Sequence, residues 1–175
     1  MHMKRFLNDV TAVVAVEFAI IAPVMLVCYF GLAEVTQGMI CQRRISHASS
    51  TIGDLVAQSS TITKAEVQDV FTVADTIVAP YPTAPLEMRI SSITADANRN
   101  TTVDWSQATN MSPLAKGAAQ SVPTTVVSAS QSVIEADMVY VYTSPVNYFT
   151  LNPITFSYTY YLKPRISNSV ACADC

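Results

Sequence analysis

Charge is scarce in this chain of 175 residues: 10 Lys and Arg stand against 13 Asp and Glu, and charged residues make up 13% of the sequence. About a quarter is usual for a soluble domain. With a formal net charge of -3, the chain has no basic field to hold the phosphates of a nucleic acid, so we expect no nucleic acid partner. Half of the residues are hydrophobic, which excludes a disordered polyelectrolyte.

Histidine and glycine are also sparse, since the chain has only His2, His47 and four glycines. A zinc site draws on several closely spaced Cys and His ligands, and a phosphate-binding loop needs clustered glycines. A Ser/His/acid triad would have to be built on His47. We therefore predict no enzyme, no metal and no cofactor.

One long apolar run lies near the N-terminus. From Val10 to Ala33 the only charged residue is Glu17. At about 1.5 Å per residue, a helix of this length spans roughly 36 Å, whereas the hydrocarbon core of a bilayer is about 30 Å thick. Pro23 is tolerated in such a helix, and no second apolar run of this length follows. We expect the chain to cross the membrane once, in contact with membrane lipid.

Basic residues do not settle the orientation of this span. Lys4 and Arg5 precede it, while Arg43 and Arg44 follow about ten residues beyond it. The run is longer than the apolar region of a secretory signal and has no clean cleavage site of small residues at its far end. We expect it to be retained, and the Ser- and Thr-rich chain after it to form a folded exported domain.

The single charge of the run is its most informative residue. An ionised carboxylate inside a membrane costs about 2.5 to 3.5 kcal/mol on insertion scales, so Glu17 needs compensation. Two interpretations stay open at this point. The side chain reaches headgroups or water near the start of the span, or it pairs with a cation.

The residues around Glu17 resemble a known processing site. The stretch AVVAVEFA, from Ala12 to Ala19, follows a short basic leader and opens the apolar run. It resembles the processing region of the TadE-like pilus-assembly proteins, which are pseudopilins (minor pilins) of the Tad, or tight-adherence, branch of type IVb pili. Ala12 stands where that family commonly has Gly, so a small residue is kept.

The resemblance implies a precursor that a prepilin peptidase cuts between Ala12 and Val13, which makes Glu17 the fifth residue of the mature chain. The carboxylate of Glu17 would then neutralise the new ammonium of an adjacent subunit in the low dielectric of a helix bundle, with Phe18 and the surrounding helix as assembly interface. The implied partners are the prepilin peptidase, other Tad pilins and pseudopilins, and the Tad inner-membrane assembly platform.

Two later stretches extend the resemblance. Val103–Ser106 is similar to a strand motif with Trp-Ser in this family, and Tyr161–Arg165 is similar to its late aromatic strand that ends in Arg-Pro-Arg, with Lys163 as a departure. From residue type alone, we expect Trp105 to anchor the core. We expect Lys163 and Arg165 to lie at a solvated strand end rather than in a binding site.

Apolar residues at helical spacing extend the helix beyond the membrane to about Gln58. The members of this seam are Cys41, Ile45, Ala48, Ile52 and Leu55. Three glycines, Gly53 among them, are expected to weaken the helix and to act as hinges.

The rest of the chain predicts α+β structure. Thr63 and Glu66 form a capping box before a short amphipathic helix, which the proline-rich stretch from Pro80 ends. Alternation at 86–92 predicts a strand, to which 101–105 pairs back across a turn at 98–100. Further predicted elements are a short helix at 111–120 and two central antiparallel strands at 134–143 and 154–162.

The resemblance implies a pilin-like plan in which a long N-terminal membrane-spanning helix packs on an exported antiparallel sheet. The expected segments are a cytoplasmic leader at 1–12, a transmembrane helix at 13–33, a helical stalk at 34–58 and an α+β head at 59–175. The protein would cross the inner membrane once, with its C-terminal domain in the periplasm, and would enter the extracellular pilus.

The four cysteines leave several pairings open. Cys28 lies in the span and is expected to be a small apolar residue. In an oxidising periplasm Cys172 pairs with Cys175, or Cys41 pairs with either of them. The terminal C-A-D-C motif has no following helix and no thioredoxin-like surroundings, so we expect a structural disulfide rather than a redox centre.

Two other functions remain open from the sequence. One is an uncleaved, membrane-anchored binding or sensor domain, whose β-rich head recognises a surface ligand. The other, ranked last, is a thiol oxidoreductase that uses Cys172 and Cys175.

Overall fold

The computed structural model describes residues 10–145 and 152–175, with side chains from Val13 onward. The first nine residues, with most of the expected leader, and residues 146–151 lie outside the described part. The helices and strands are α1 (Val10–Ala57), β1 (Thr61–Ile62), α2 (Lys64–Val78), β2 (Leu86–Ala95), β3 (Thr101–Thr109), β4 (Ser132–Tyr142), β5 (Ile154–Leu162) and β6 (Ala171–Cys172). The expected α+β fold with a long N-terminal helix is confirmed.

The chain divides into two compact units. One contains the described residues up to Met39, together with those of Thr143–Asn152. The other, called the head below, consists of Ile40–Tyr142 and Pro153–Cys175. The head contains the last part of α1 and every other helix and strand.

The seam of α1 packs into the head, with one correction. Cys41, Ile45, Ala48 and Ile52 are fully buried, as predicted. Leu55 is 37% exposed, whereas Val56 is fully buried in its place. At 100° per residue, Leu55 and Val56 flank the centre of the seam at nearly equal angles, so spacing alone could not choose between them.

Gly53 is a packing residue and not a hinge. α1 continues through it to Ala57, and a Cβ atom at this position would collide with the Leu162 side chain and lie 3.1 Å from the Cβ of Ala136. Glycine therefore lets the helix backbone approach the sheet closely. The same contact includes a hydrogen bond from the Ser49 hydroxyl to the carbonyl oxygen of Ala136, at 3.2 Å.

The capping box before α2 is confirmed. The Thr63 hydroxyl accepts a hydrogen bond from the Glu66 amide at 3.3 Å, and the Glu66 carboxylate accepts one from the Thr63 amide at 2.7 Å. These bonds satisfy two backbone donors that the first turn leaves unpaired. Of the apolar residues on α2, Val67, Phe71, Ala74 and Val78 are buried against the same core as the α1 seam.

Four antiparallel strands form the sheet of the head in the order β3-β2-β4-β5. The predicted pairing of the first two strands is confirmed, with Ser91 opposite Ser106. β4 is central, since Ala136 lies opposite Ile90 on one side and Tyr160 on the other. β5 was expected to be central as well, but among the described strands it pairs only with β4 and is an edge strand.

A β-bulge on β3 places Trp105 and Val103 in different clusters. The register shifts between Ser92 and Ile93, with Asp104 as the extra residue on β3. Trp105 joins the core under α1 and α2, whereas Val103 joins a smaller cluster that includes Ile93. Trp105 is 4% exposed, and its indole N–H donates to the carbonyl oxygen of Val170 at 2.7 Å, so the predicted core anchor is confirmed.

The helix predicted at 111–120 is wrong. The segment runs beside the edge of β3, where the Val103 amide donates to the Ala118 carbonyl at 3.0 Å and the Gly117 amide donates to the Val103 carbonyl at 2.8 Å. Gly117 has a φ of +78°, which lies outside the helical region. The edge of β3 provides hydrogen-bonding partners for this backbone, and the segment does not form the predicted helix.

A polar cluster lies on the face of the sheet opposite the helices. Arg89 forms a salt bridge with Asp137 at 2.7 Å, and the Thr159 hydroxyl donates to the other oxygen of Asp137 at 2.6 Å. Glu135, which is 1% exposed, accepts a hydrogen bond from the side-chain amide of Gln120 at 3.0 Å. Burial, and then the negative charge of Asp137, raises the pKa of Glu135 to about 7.

Because Val56 and not Leu55 is buried in the seam, we expect unequal stability changes when Ile52 and Leu55 are truncated. Ile52→Ala opens a cavity in the core and should reduce the free energy of unfolding by about 2 to 5 kcal/mol, whereas Leu55→Ala should cost less than about 1 kcal/mol. Denaturant unfolding of the full chain in detergent measures both. Equal losses of unfolding free energy would show that Leu55 is also buried in the seam.

The buried Glu135 carboxyl predicts stability that decreases with rising pH. Its pKa in the folded chain, about 7, is above the ordinary value of 4.5. The stabilisation is therefore complete below about pH 4.5 and is lost as the pH rises through 7. Glu135→Gln imitates the protonated form, so its melting temperature should match the wild type at pH 4 and exceed it by at least about 2 °C at pH 8. A constant difference between the two proteins at all pH values would contradict this assignment.

Candidate functional site

The first part of α1 has an uncovered apolar surface. None of its residues from Val13 to Ala33 is buried, and large side chains such as Phe18, Ile20 and Leu32 are about two-thirds or more exposed, with Phe18 at 71%. Soluble monomers rarely expose a contiguous apolar surface of this extent. A surface of this kind requires an apolar environment, which lipid or other apolar helices supply.

The length and composition of this helix also suit an apolar environment such as a membrane. Among the described residues, one helix is long and apolar enough to cross a membrane, and its most apolar window has no residue buried inside the protein. Pro23 lies inside this helix without ending it. The segment is therefore compatible with a single-pass membrane anchor.

Glu17 lies on this apolar surface with an exposed side chain. No described residue donates a hydrogen bond to its carboxylate or forms a salt bridge with it. Its neighbours in sequence, Val16 and Phe18, are 57% and 71% exposed. A charge in such apolar surroundings is costly unless water, lipid headgroups or a cation from outside the described chain compensates it.

The residues of the expected cleavage site lie at the start of α1. The backbone of Ala12 is in the first turn of the helix, and the described side chains begin with Val13. Val13 and Glu17 are four residues apart, which places them one turn apart on the same face. Phe18 is next to that face and is 71% exposed.

The structure forms one of the three disulfides that the sequence left open, between Cys172 and Cys175. Cys41 is a free thiol that is fully buried, and burial raises its pKa to about 11, with the charge of Arg44 opposing the change. Cys28 is a free and exposed thiol. Cys41 therefore takes no part in the disulfide.

The disulfide closes a structural turn at the C-terminus. β6 pairs in parallel with β1, with Ala171 opposite Thr61. The carboxylate of Asp174, inside the disulfide loop, accepts a hydrogen bond from the Lys64 amide at 3.0 Å. Cys172, Asp174 and Cys175 lie close enough to hold a metal ion, but the disulfide occupies both sulfur atoms.

Sequence reasoning missed the role of Asp174. A carboxylate at the first turn of α2 satisfies an unpaired amide and interacts favourably with the helix dipole. The C-x-x-C motif signals a tight turn, but no local pattern relates residue 174 to residue 64, because 110 positions separate them in the chain.

The basic residues after β5 are used within the head. Arg165 forms a salt bridge with Asp54, and its amide donates to the carbonyl oxygen of Ala57 at 2.8 Å. The Lys163 ammonium donates to the Gln131 side chain at 3.3 Å. The Arg165 side chain is still 61% exposed, in agreement with the expected solvated strand end.

The apolar helix and the start of the head also match a known family. Residues 12–53 match the TadE-like protein family. This TadE-like segment begins at Ala12, contains Glu17 and the uncovered part of α1, and ends at Gly53, and the resemblance is confirmed over this range. The match links the segment to Tad pilus-related function. Comparison with curated proteins and with solved structures gave no match.

The raised pKa and burial of Cys41 predict an inert thiol. In a Cys28→Ser background, Cys41 should resist alkylation by iodoacetamide at pH 8 in the folded chain and should react fully in denaturant, since the thiolate is the reactive form. Mass spectrometry of the intact chain counts the added groups. Rapid labelling of the folded chain would show that the seam of α1 opens at Cys41.

Proposed function

We propose that this chain is the precursor of a pseudopilin (minor pilin) of the Tad type IVb pilus, needed for pilus assembly or initiation and hence for surface adherence. Residues 1–12 form a cytoplasmic leader, 13–33 the transmembrane helix, 34–58 a helical stalk, and 59–175 a head in the periplasm. Its role is packing rather than catalysis.

The observation that carries this proposal is the uncovered apolar surface of α1 with Glu17 in it. A membrane anchor needs apolar side chains but gains nothing from a carboxylate, which costs up to about 2.5 to 3.5 kcal/mol at the centre of a span. A helix that must leave the lipid and pack among other subunits gains a specific ionic contact from the same residue. The TadE-like match over residues 12–53 supports this interpretation.

Processing supplies the cation that Glu17 lacks. Cleavage by a prepilin peptidase between Ala12 and Val13 leaves an ammonium at the start of the apolar helix. In a helix bundle, the Glu17 carboxylate of one subunit pairs with the ammonium of its neighbour. Two isolated charges in a low dielectric become one ion pair, which is far less costly than either charge alone.

The partners follow from these steps. The precursor meets the prepilin peptidase and the Tad inner-membrane assembly platform, and the mature chain packs against other Tad pilins and pseudopilins. Before assembly, membrane lipid covers the exposed side chains of α1. Phe18, next to Glu17 and 71% exposed, contributes apolar area to the contact between helices.

The pairing of Glu17 is tested by Glu17→Gln and Glu17→Ala in the native host. Both variants should enter the membrane normally, because they remove a charge from an apolar segment. Both should reduce the number of surface pili by about tenfold or more, since the new ammonium is left without its partner. Electron microscopy counts the pili, and mass spectrometry of the purified chain should show Val13 as its first residue.

Glu87→Gln is the matched control, because it makes the same change on β2, outside α1. It should leave piliation unchanged. Normal piliation in both Glu17 variants would contradict the ionic contact. A native chain that retains its first 12 residues would reject processing and favour an uncleaved membrane anchor.

A further inference from the structure

A polar groove of about 510 Å³ lies on the head, between the outward face of α1 and the edge strand β5. Its lining residues are Gln42, Arg43, Ser46, His47, Ser50 and Tyr158. All six carry hydrogen-bonding side chains and none is acidic. The groove therefore offers positive charge without a counter-ion of its own.

Arg43 and Arg44 have different roles, although they are adjacent in sequence. The Arg44 guanidinium donates to the carbonyl oxygens of Ile77 and Ala79, so it fixes the end of α2 to α1. Arg43 is exposed and has no hydrogen bond or salt bridge to any described residue. Its guanidinium remains available to a ligand in the groove.

Hydroxyl groups surround this cation. The Ser46 and Tyr160 hydroxyls lie 2.7 Å apart and hydrogen-bond to each other, which fixes the wall formed by β5. The Ser50 hydroxyl donates to the His47 carbonyl at 2.9 Å, so its own oxygen can still accept. A planar guanidinium among hydroxyl and imidazole groups matches a carboxylate, which accepts several hydrogen bonds at once.

The shape favours a group on a large partner over a free small molecule. Sites for small ligands are mostly apolar and enclose most of the ligand. This groove is open, and Tyr158 is its only aromatic lining residue. An open polar groove is suited to a side chain that is fixed on the surface of a second protein.

The same chain carries the complementary charge elsewhere. Its carboxylates outnumber its Lys and Arg residues, and the described residues contain only two salt bridges, Arg89 to Asp137 and Arg165 to Asp54. The exposed carboxylates of Asp69, Asp96 and Asp174 have no cationic partner among the described residues. A second copy can therefore supply the missing acid.

We propose that this groove binds a surface carboxylate of a second copy of this chain, with Arg43 as the central contact. Groove and carboxylate are different patches, so the contact is head-to-tail and can repeat along an open array. The inference rests on the proposed function, because a pilus is such an array, and it adds a contact between heads to the contact between helices.

The test converts the ionic contact into a covalent one. Arg43→Lys keeps the charge and introduces a primary amine. A carbodiimide joins this amine to a carboxylate in contact with it through an amide bond, adds no spacer, and takes up the water that is lost. The full chain is cross-linked in membranes and pili of its native host. We expect a several-fold higher yield of dimer than for the wild type, with residue 43 joined to an Asp or Glu of the second copy in the mass spectrum.

Arg99→Lys is the matched control, because Arg99 is also exposed but lies in the β2–β3 turn, away from the groove. Both variants should keep the melting temperature of the wild type. Dimer yields equal to that of the Arg99→Lys control would overturn the proposal, and so would cross-links from residue 43 that reach only another protein or only acids of its own copy.

The two proposals fail in different ways. A mature chain that begins at Val13 and needs Glu17 for piliation, without cross-links from residue 43, rejects the groove contact alone. A native chain that retains its leader rejects the pseudopilin role, whatever the yield of cross-linked dimer.

Discussion

Close packing of α1 on the sheet is the constraint on which the head depends. The helix contacts β4 through small residues, with Ser49 hydrogen-bonded to the Ala136 carbonyl and Gly53 beside the Cβ of Ala136. This short distance lets Ile45 and Ile52 reach full burial, and complete burial of such side chains stabilises a fold by about 1.5 to 3 kcal/mol each. A side chain at position 53 would force Leu162 to move and would press on Ala136, so glycine keeps this contact close.

Several charged residues of the chain have specific partners. Arg89 compensates Asp137 on the outer face of the sheet, and Arg165 pairs with Asp54. Glu135 lies beside Asp137, and burial raises its pKa to about 7. Glu17 and Arg43 differ from these residues, because nothing in the described chain neutralises them. Uncompensated charges of opposite sign on two separate surfaces are expected of a subunit that completes its contacts by assembly.

The sequence predicts those features whose physical cause is local. Capping by Thr63 and Glu66 acts within one turn, and the alternation at Leu86, Met88 and Ile90 reflects the pleat of a single strand. The position of the apolar helix follows from composition alone. These predictions therefore agree with the structure.

Features that depend on residues far apart in the sequence could not be predicted from it. The edge position of β5 depends on whether another strand pairs with its other side, and among the described strands none does. The structure of 111–120 depends on the edge of β3, with which it pairs. The choice of Cys175 rather than Cys41 as the partner of Cys172 depends on burial of Cys41 in the helix seam. At Glu17 the limit is different, because no described residue pairs with its carboxylate.

The core of the head contains no residue of α1 before Cys41 among the described residues. The apolar part of the helix therefore contributes no buried contact to that core, and the head can fold with this part in lipid. A change of its surroundings from lipid to a bundle of helices exchanges one apolar environment for another, at little cost in buried area. In the proposed assembly, what changes most is the electrostatic surroundings of Glu17, because the N-terminus of a neighbouring subunit would supply a cation that lipid tails lack. On that proposal, most of the free energy that distinguishes lipid from the helix bundle comes from the Glu17 carboxylate, and the head need not change its structure during the transfer.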